Sequence, residues 1–223
     1  MVLLEQFRPV SRSVRHAAMA SPVPDALIRA AERLFAERGS DQVSLREVTT
    51  EAGATNASAV QYHFGGRRGL IRAVLAKHDI DVERRRHELL DAYEAGDRTD
   101  IRVLAHALVQ PLADELGNDD GGLGYLQLLS DLFNRPDPPY EPGAVEDPSY
   151  SVNRWRALVV PLLTPEAIRL HRRFDALRFT VSELARRGRT GRKDHRLFTS
   201  QLVDLVTGLL LTPVSDETRR LLR

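Results

Sequence analysis

Apolar positions recur along most of this chain at the spacing of one helix face. Leu27, Ala30, Ala31, Leu34 and Phe35 step by i, i+3, i+4, i+7 and i+8. That stripe predicts a first helix, entered at Pro22 and Pro24 and ended by Gly39. Farther on, Leu70, Ile71, Val74 and Leu75 open a long helix from Arg67 to about Tyr93, closed before Gly96. At 1.5 Å per residue it would span roughly 40 Å. Its two ends are apolar, with Leu89, Leu90 and Tyr93 at the far one, whereas Asp81 to Glu88 is nearly all charged. A helix of that pattern joins two packed bodies.

Beyond Gly96 the periodicity predicts more helices. Ile101, Leu104, Ala105, Leu108, Leu112 and Leu116 form one stripe, with Pro111 as a kink. After a loop from Gly117 to Gly122, Leu126, Leu129 and Phe133 form the next. Residues 135–148 hold five prolines and predict a long surface loop. A short helix with Trp155, Leu158, Val159 and Leu162 follows. Thr164-Pro165-Glu166 then starts a helix whose Leu170, Phe174, Leu177, Val181 and Leu184 step by 4, 3, 4, 3, up to Gly188. The last long helix is capped by Asp194, carries Phe198, Leu202, Leu205, Val206 and Leu209, and stops at Pro213.

Between the first and the long helix lies the most informative stretch, Val43 to Leu75. Ser44 and Glu47 form a capping box, and Val43 with Val48 a hydrophobic staple. Gly53 is placed to end this short helix in the left-handed conformation. Asn56 then caps a second short helix with Ala57, Ser58, Gln61 and Tyr62 along one side, and Val60 and Phe64 on the core side. An outward set of small and hydrogen-bonding residues suits a helix lying in the DNA major groove.

Tyr62-His63-Phe64-Gly65-Gly66-Arg67-Arg68-Gly69-Leu70 resembles the signature that closes the recognition helix of TetR-family transcriptional regulators. With Ala52-Gly53, the capped helix and the first amphipathic helix, the resemblance covers a quarter to a third of the chain. Gln61 stands where many members carry tyrosine, Arg67 and Arg68 replace lysine and glutamate, and the Gly53–Asn56 turn is one residue longer. The resemblance implies an all-α fold: a flexible arm over 1–21, a three-helix helix-turn-helix DNA-binding domain over 22–68, and a helical ligand-binding and dimerisation domain over 69–223. It also implies a cytoplasmic homodimer, a repressor that binds a palindromic DNA operator and is released by a small apolar effector.

Within that reading, Asn56, Ser58, Gln61 and Tyr62 face the bases, and Ser44, Tyr62, His63 and Arg67 contact phosphates. Leu104, Leu108, Leu129, Phe133, Trp155 and Phe174 are candidate walls of the effector pocket, though each suits plain core equally well. Leu170, Leu177, Val181, Leu184, Leu202, Leu205, Val206 and Leu209 are candidates for a four-helix dimer interface. The rival expectations are a helical-bundle enzyme or metal protein with an incidental helix-turn-helix, and an architectural DNA binder without effector.

Composition narrows the rest. Hydrophobic content of 42% with 28% charged residues suits a globular domain. No apolar run approaches the ~20 residues of a membrane span, so no membrane partner is expected. The absence of cysteine excludes disulfides, thiol catalysis and cysteine zinc sites. Residues 1–75 carry ten arginines and seven acids, a net of +3, too mild to identify a nucleic-acid binder by charge alone. Arg8, Arg12, Arg15 and His16 in the arm suit a disordered start better than a minor-groove contact.

No hydrolase elbow, Walker loop or Glu-x-x-His pair occurs, and Gly122-Leu123-Gly124 lacks the third glycine and the strand of a dinucleotide site. No enzyme activity, cofactor or metal is therefore expected. His106 and His171 are isolated, and the Arg186–Lys193 cluster suits a solvated helix C-terminus.

Overall fold

The computed structural model describes residues 22–54, 56, 58–136 and 149–223. The arm, and all but the first two residues of the proline-rich loop, lie outside them. The helices in order are α1 (Pro22–Arg38), α2 (Leu45–Glu51), α3 (Ala59–Phe64), α4 (Arg67–Ala95), α5 (Ile101–Ala113), α6 (Gly122–Phe133), α7 (Ser151–Val159), α8 (Pro165–Arg169), α9 (Arg172–Gly188), α10 (Arg196–Leu211) and α11 (Asp216–Leu221). The fold is all-α, with no strand among the described residues.

The packing divides into two units. One comprises residues up to Ile80 together with Glu115–Val145; the other comprises Asp81–Asp114 with Glu146–Arg223. The sequence boundary at 68/69 follows local motifs. The packing boundary falls inside α4 and returns α6 to the first unit, because α6 lies along α1.

Gly121 and Gly124 allow that approach to α1, and Gly122 a close approach to the turn before α6. A Cβ at Gly124 would stand 2.2 Å from the Glu32 carbonyl oxygen, and one at Gly122 would stand 2.1 Å from that of Glu115. At Gly121, whose φ is +96°, a Cβ would collide with the Glu32 carboxylate.

Under this contact lies a buried charged cluster. His78 of α4 has one ring nitrogen 2.7 Å from Glu115 and the other 3.0 Å from Glu32 of α1. Its ring stacks on Tyr125, centroids 4.8 Å apart, and the tyrosine hydroxyl donates to Asp79. Lys77 donates to the second Glu32 oxygen, and Asn118 to Glu115. Burial opposes charge on His78, but the hydrogen bonds and charges of Glu115 and Glu32 outweigh it and push its pKa up to about 9. His78 is therefore an imidazolium between two carboxylates at neutral pH.

The second unit is held mainly by apolar contacts of α5 with α7, α9 and α10. Leu104, Leu108, Trp155, Val181, Leu184 and Val206 are fully buried. The Trp155 indole N–H donates to the Leu104 carbonyl at 2.7 Å, the bond that lets so large a polar-tipped ring lie in a core. Glu83 on α4 accepts from the Ser151 N–H at 2.6 Å and so caps α7.

Four expectations are corrected here. The helix predicted from Thr164 to Gly188 is two, because His171 between them takes a left-handed φ of 56°. Leu170 closes α8 and so leaves the α9 stripe. Leu177, Val181, Leu184, Leu202 and Val206 are core of their own unit and cannot also form the surface of a dimer. Neither Asp194 nor Asn56 caps a helix from the N-cap position: Asp194 accepts from the Arg196 N–H, with His195 as N-cap, and Asn56 accepts from the Ser58 N–H at 2.9 Å, with Ser58 as N-cap of α3. The sequence also missed α11, although Ser215 caps it and Asp216 and Glu217 fill its first turn.

Candidate nucleic-acid interface

The two short helices owe their form to local chemistry. The Ser44 hydroxyl accepts from the Glu47 N–H, and the Glu47 carboxylate accepts from the Ser44 N–H at 2.8 Å, completing the capping box. Arg38 of α1 holds the other Glu47 oxygen at 2.7 Å. The Ser44 N–H, the Ser44 hydroxyl and Arg38 keep this exposed carboxyl down at about 2. At the other end Gly53, φ 66°, allows the Ala54 N–H to reach back to the Thr49 carbonyl.

The faces of α3 separate cleanly. Ala59 and Val60 are buried, and Phe64 is half-buried. Asn56, Ser58, Gln61 and Tyr62 are all exposed, Tyr62 by 82%. Ala57 lies outside the described residues. The four residues expected to face bases therefore share an outward surface, with a core behind it. His63 is half-buried and meets Tyr62 edge-on at 4.9 Å.

The corner after α3 is tight. Gly65 ends the helix at φ 68°. A Cβ at Gly66 would stand 3.0 Å from the Gln61 side-chain oxygen, and one at Gly69 would stand 1.6 Å from the Phe64 carbonyl oxygen. Only glycine at 69 lets α4 leave α3 so closely.

Arg67 behaves differently from its expected role at phosphate. Its guanidinium donates to the Val43 carbonyl at 2.6 Å and to the Ser40 carbonyl. It holds the corner to the segment before α2 instead of projecting outward. Neighbouring Arg68 is exposed, as is Arg46 in the first turn of α2. Neither has an ion-pair partner among the described residues. Sequence reading passed over both, although they are the outward cations flanking the two short helices.

The expected effector walls do not come together in one unit. Leu129 and Phe133 sit on α6 in the first unit; Leu104, Leu108, Trp155 and Phe174 sit in the second. The reason is the glycine-permitted seat of α6 on α1. Leu104, Leu108 and Trp155 are closed core, and half-buried Phe174 lies under the Arg178 guanidinium at 5.9 Å.

Among the described residues no group of three or more His, Asp or Glu is arranged to hold a metal ion, and no helix is long and apolar enough to cross a membrane. His171 is exposed at the break between α8 and α9; His106, half-buried on α5, is held below its ordinary pKa by burial.

Residues 27–74 match the sequence pattern of bacterial regulatory proteins of the tetR family. No curated protein sequence is significantly similar. A solved crystal structure of an HlyIIR mutant protein has a similar fold, with a TM-score of 0.53 and 16% identity, over 87% of this chain and 100% of that one.

Proposed function

We propose that this chain, a TetR-family regulator, binds a palindromic DNA operator as a homodimer and represses transcription until a small apolar effector releases it. The observation that carries the reading is α3: a short helix with amide, hydroxyl and phenol groups outward and Val60 behind them. Gln61 reads a base, since its amide can pair with both hydrogen-bonding groups of the adenine edge. Asn56, Ser58 and Tyr62 supply the neighbouring contacts. Ser44, Tyr62 and His63 meet phosphates, joined by Arg46 and Arg68, whose charge releases counterions.

A second copy is needed because one six-residue helix reads too few bases, and two such helices must stand about 34 Å apart on one DNA face. The exposed side of α10, with Leu197, Leu205 and Leu211, is the apolar surface proposed for that contact; Leu209 and Leu170 are half-buried. The effector belongs to the second unit. It acts only so far as its affinity differs between the DNA-bound and free states, and DNA must weaken effector binding by the same factor.

Selection of DNA fragments from a random pool by the purified protein tests the reading. An inverted repeat with half-sites one helical turn apart is expected. Gln61→Ala should then lose preference at one base pair per half-site, about 1–3 kcal/mol of discrimination. A pool that shows no enrichment at low salt, or a protein that stays monomeric on DNA, rejects it.

A further inference from the structure

The buried turn ahead of α2 is gripped from two sides. Ser40 is 0% exposed. Its N–H donates to one Asp131 oxygen on α6 at 2.5 Å, and its carbonyl accepts from Arg67 at the start of α4. The other Asp131 oxygen accepts from the Gln127 amide at 2.6 Å, which fixes the carboxylate. Arg67 also holds the Val43 carbonyl, the last before the Ser44 cap. It lies two residues after Gly65, which ends α3. One continuous path thus runs from α6, through the backbone of one residue, to the corner that aims α3.

Two physical effects make this path more than a sum of contacts. The N–H and the carbonyl of Ser40 belong to adjacent peptide units, so Asp131 and Arg67 clamp the backbone of one residue from both sides and hold its φ and ψ between them. Both bonds are charge-assisted, hence shorter and stronger than neutral ones. Removing the carboxylate leaves a buried N–H without a partner and frees one side of the backbone that Arg67 holds from the other.

We infer that Asp131 is a positioning residue for sequence reading: through the Ser40 backbone and Arg67 it sets the angle at which α3 meets the bases, without touching DNA. The inference rests on α3 being the reading helix. Phosphate contacts tolerate a small tilt of that helix, whereas base contacts do not, so the effect falls on specificity.

The test uses the full chain, the duplex that the wild type selects, and a scrambled duplex of equal length at the same salt. Asp131→Ala should weaken the selected duplex about tenfold, the loss expected for one orphaned buried donor, and leave the scrambled duplex within about twofold. Asp131→Asn, whose amide oxygen still accepts from Ser40, should recover most of the ratio. Ser40→Ala should match wild type, because the serine hydroxyl makes no hydrogen bond among the described residues. Should Asp131→Ala fail to fold, Asp131→Glu keeps the charge, moves the acceptor by one methylene, and must still lower the ratio.

An unchanged ratio in Asp131→Ala, an equal loss on both duplexes, or an asparagine variant no better than alanine overturns the inference. A wild type that selects no duplex overturns instead the reading of α3 on which it rests.

Discussion

The two units bury different kinds of groups. The first encloses Glu32, Ser40, Thr49, His78, Glu115 and Gln127 among its apolar residues, tied by directed hydrogen bonds. The second is centred on Leu104, Leu108, Trp155, Val181, Leu184 and Leu202, with few buried charges. Apolar packing tolerates repacking at constant volume, while a buried polar network is either satisfied or costly. The first unit is therefore built to hold α3 at one angle. The second, apart from the buried Arg86–Ser151 pair, is held by apolar packing that tolerates volume-conserving change.

The sharpest way to break this comparison is His78→Leu. It should leave Glu115 without a cation and Glu32 with Lys77 alone, and cost about 3–5 kcal/mol, read from urea unfolding. A loss below about 1 kcal/mol would mean the cluster is no more demanding than ordinary core.

Next in size is a pH effect. His78 is raised from 6.5 to about 9 in the folded protein. Its contribution is complete below pH 6.5, where both folded and unfolded chains bind the proton, and is lost as pH rises through 9. The expected loss is on the order of 3 kcal/mol between those limits. Unfolding midpoints at pH 6, 8 and 10 check the sign, and the slope should be absent in His78→Gln.

Gly124→Ala should cost about 1–3 kcal/mol by forcing α6 off the Glu32 backbone. The smallest effect is expected in the other unit. Leu108→Met, fully buried but volume-conserving, should cost less than about 1.5 kcal/mol in the same assay.

The same contrast explains what could be read in advance. The helix-turn-helix is written in local chemistry: Ser44 and Glu47 are three residues apart, and Gly53 and Gly65 stand where the chain must turn left-handed. The outward face of α3 follows from those boundaries. The His78 cluster is not local, since its partners lie 37 and 46 residues away. Periodicity marks which face of α6 is buried but not what buries it. The small residues at 121, 122 and 124 were the available sign of close approach, and they read instead as a failed nucleotide motif. Arg67 was misjudged because an arginine beside a recognition helix suits phosphate as well as it suits the carbonyls it holds. Leu177, Val181, Leu184, Leu202 and Val206 turned out to be core for a related reason: a heptad stripe on α9 and α10 shows that a face is covered, not whether by the same subunit or another.

The left-handed residue between α8 and α9 has a consequence for substitution. Position 171 lies inside what periodicity treats as unbroken helix, where glycine ordinarily ranks near the bottom of all residues. Because its backbone sits at φ 56° instead, the order should invert: glycine and asparagine become the best tolerated replacements, and valine and isoleucine the worst.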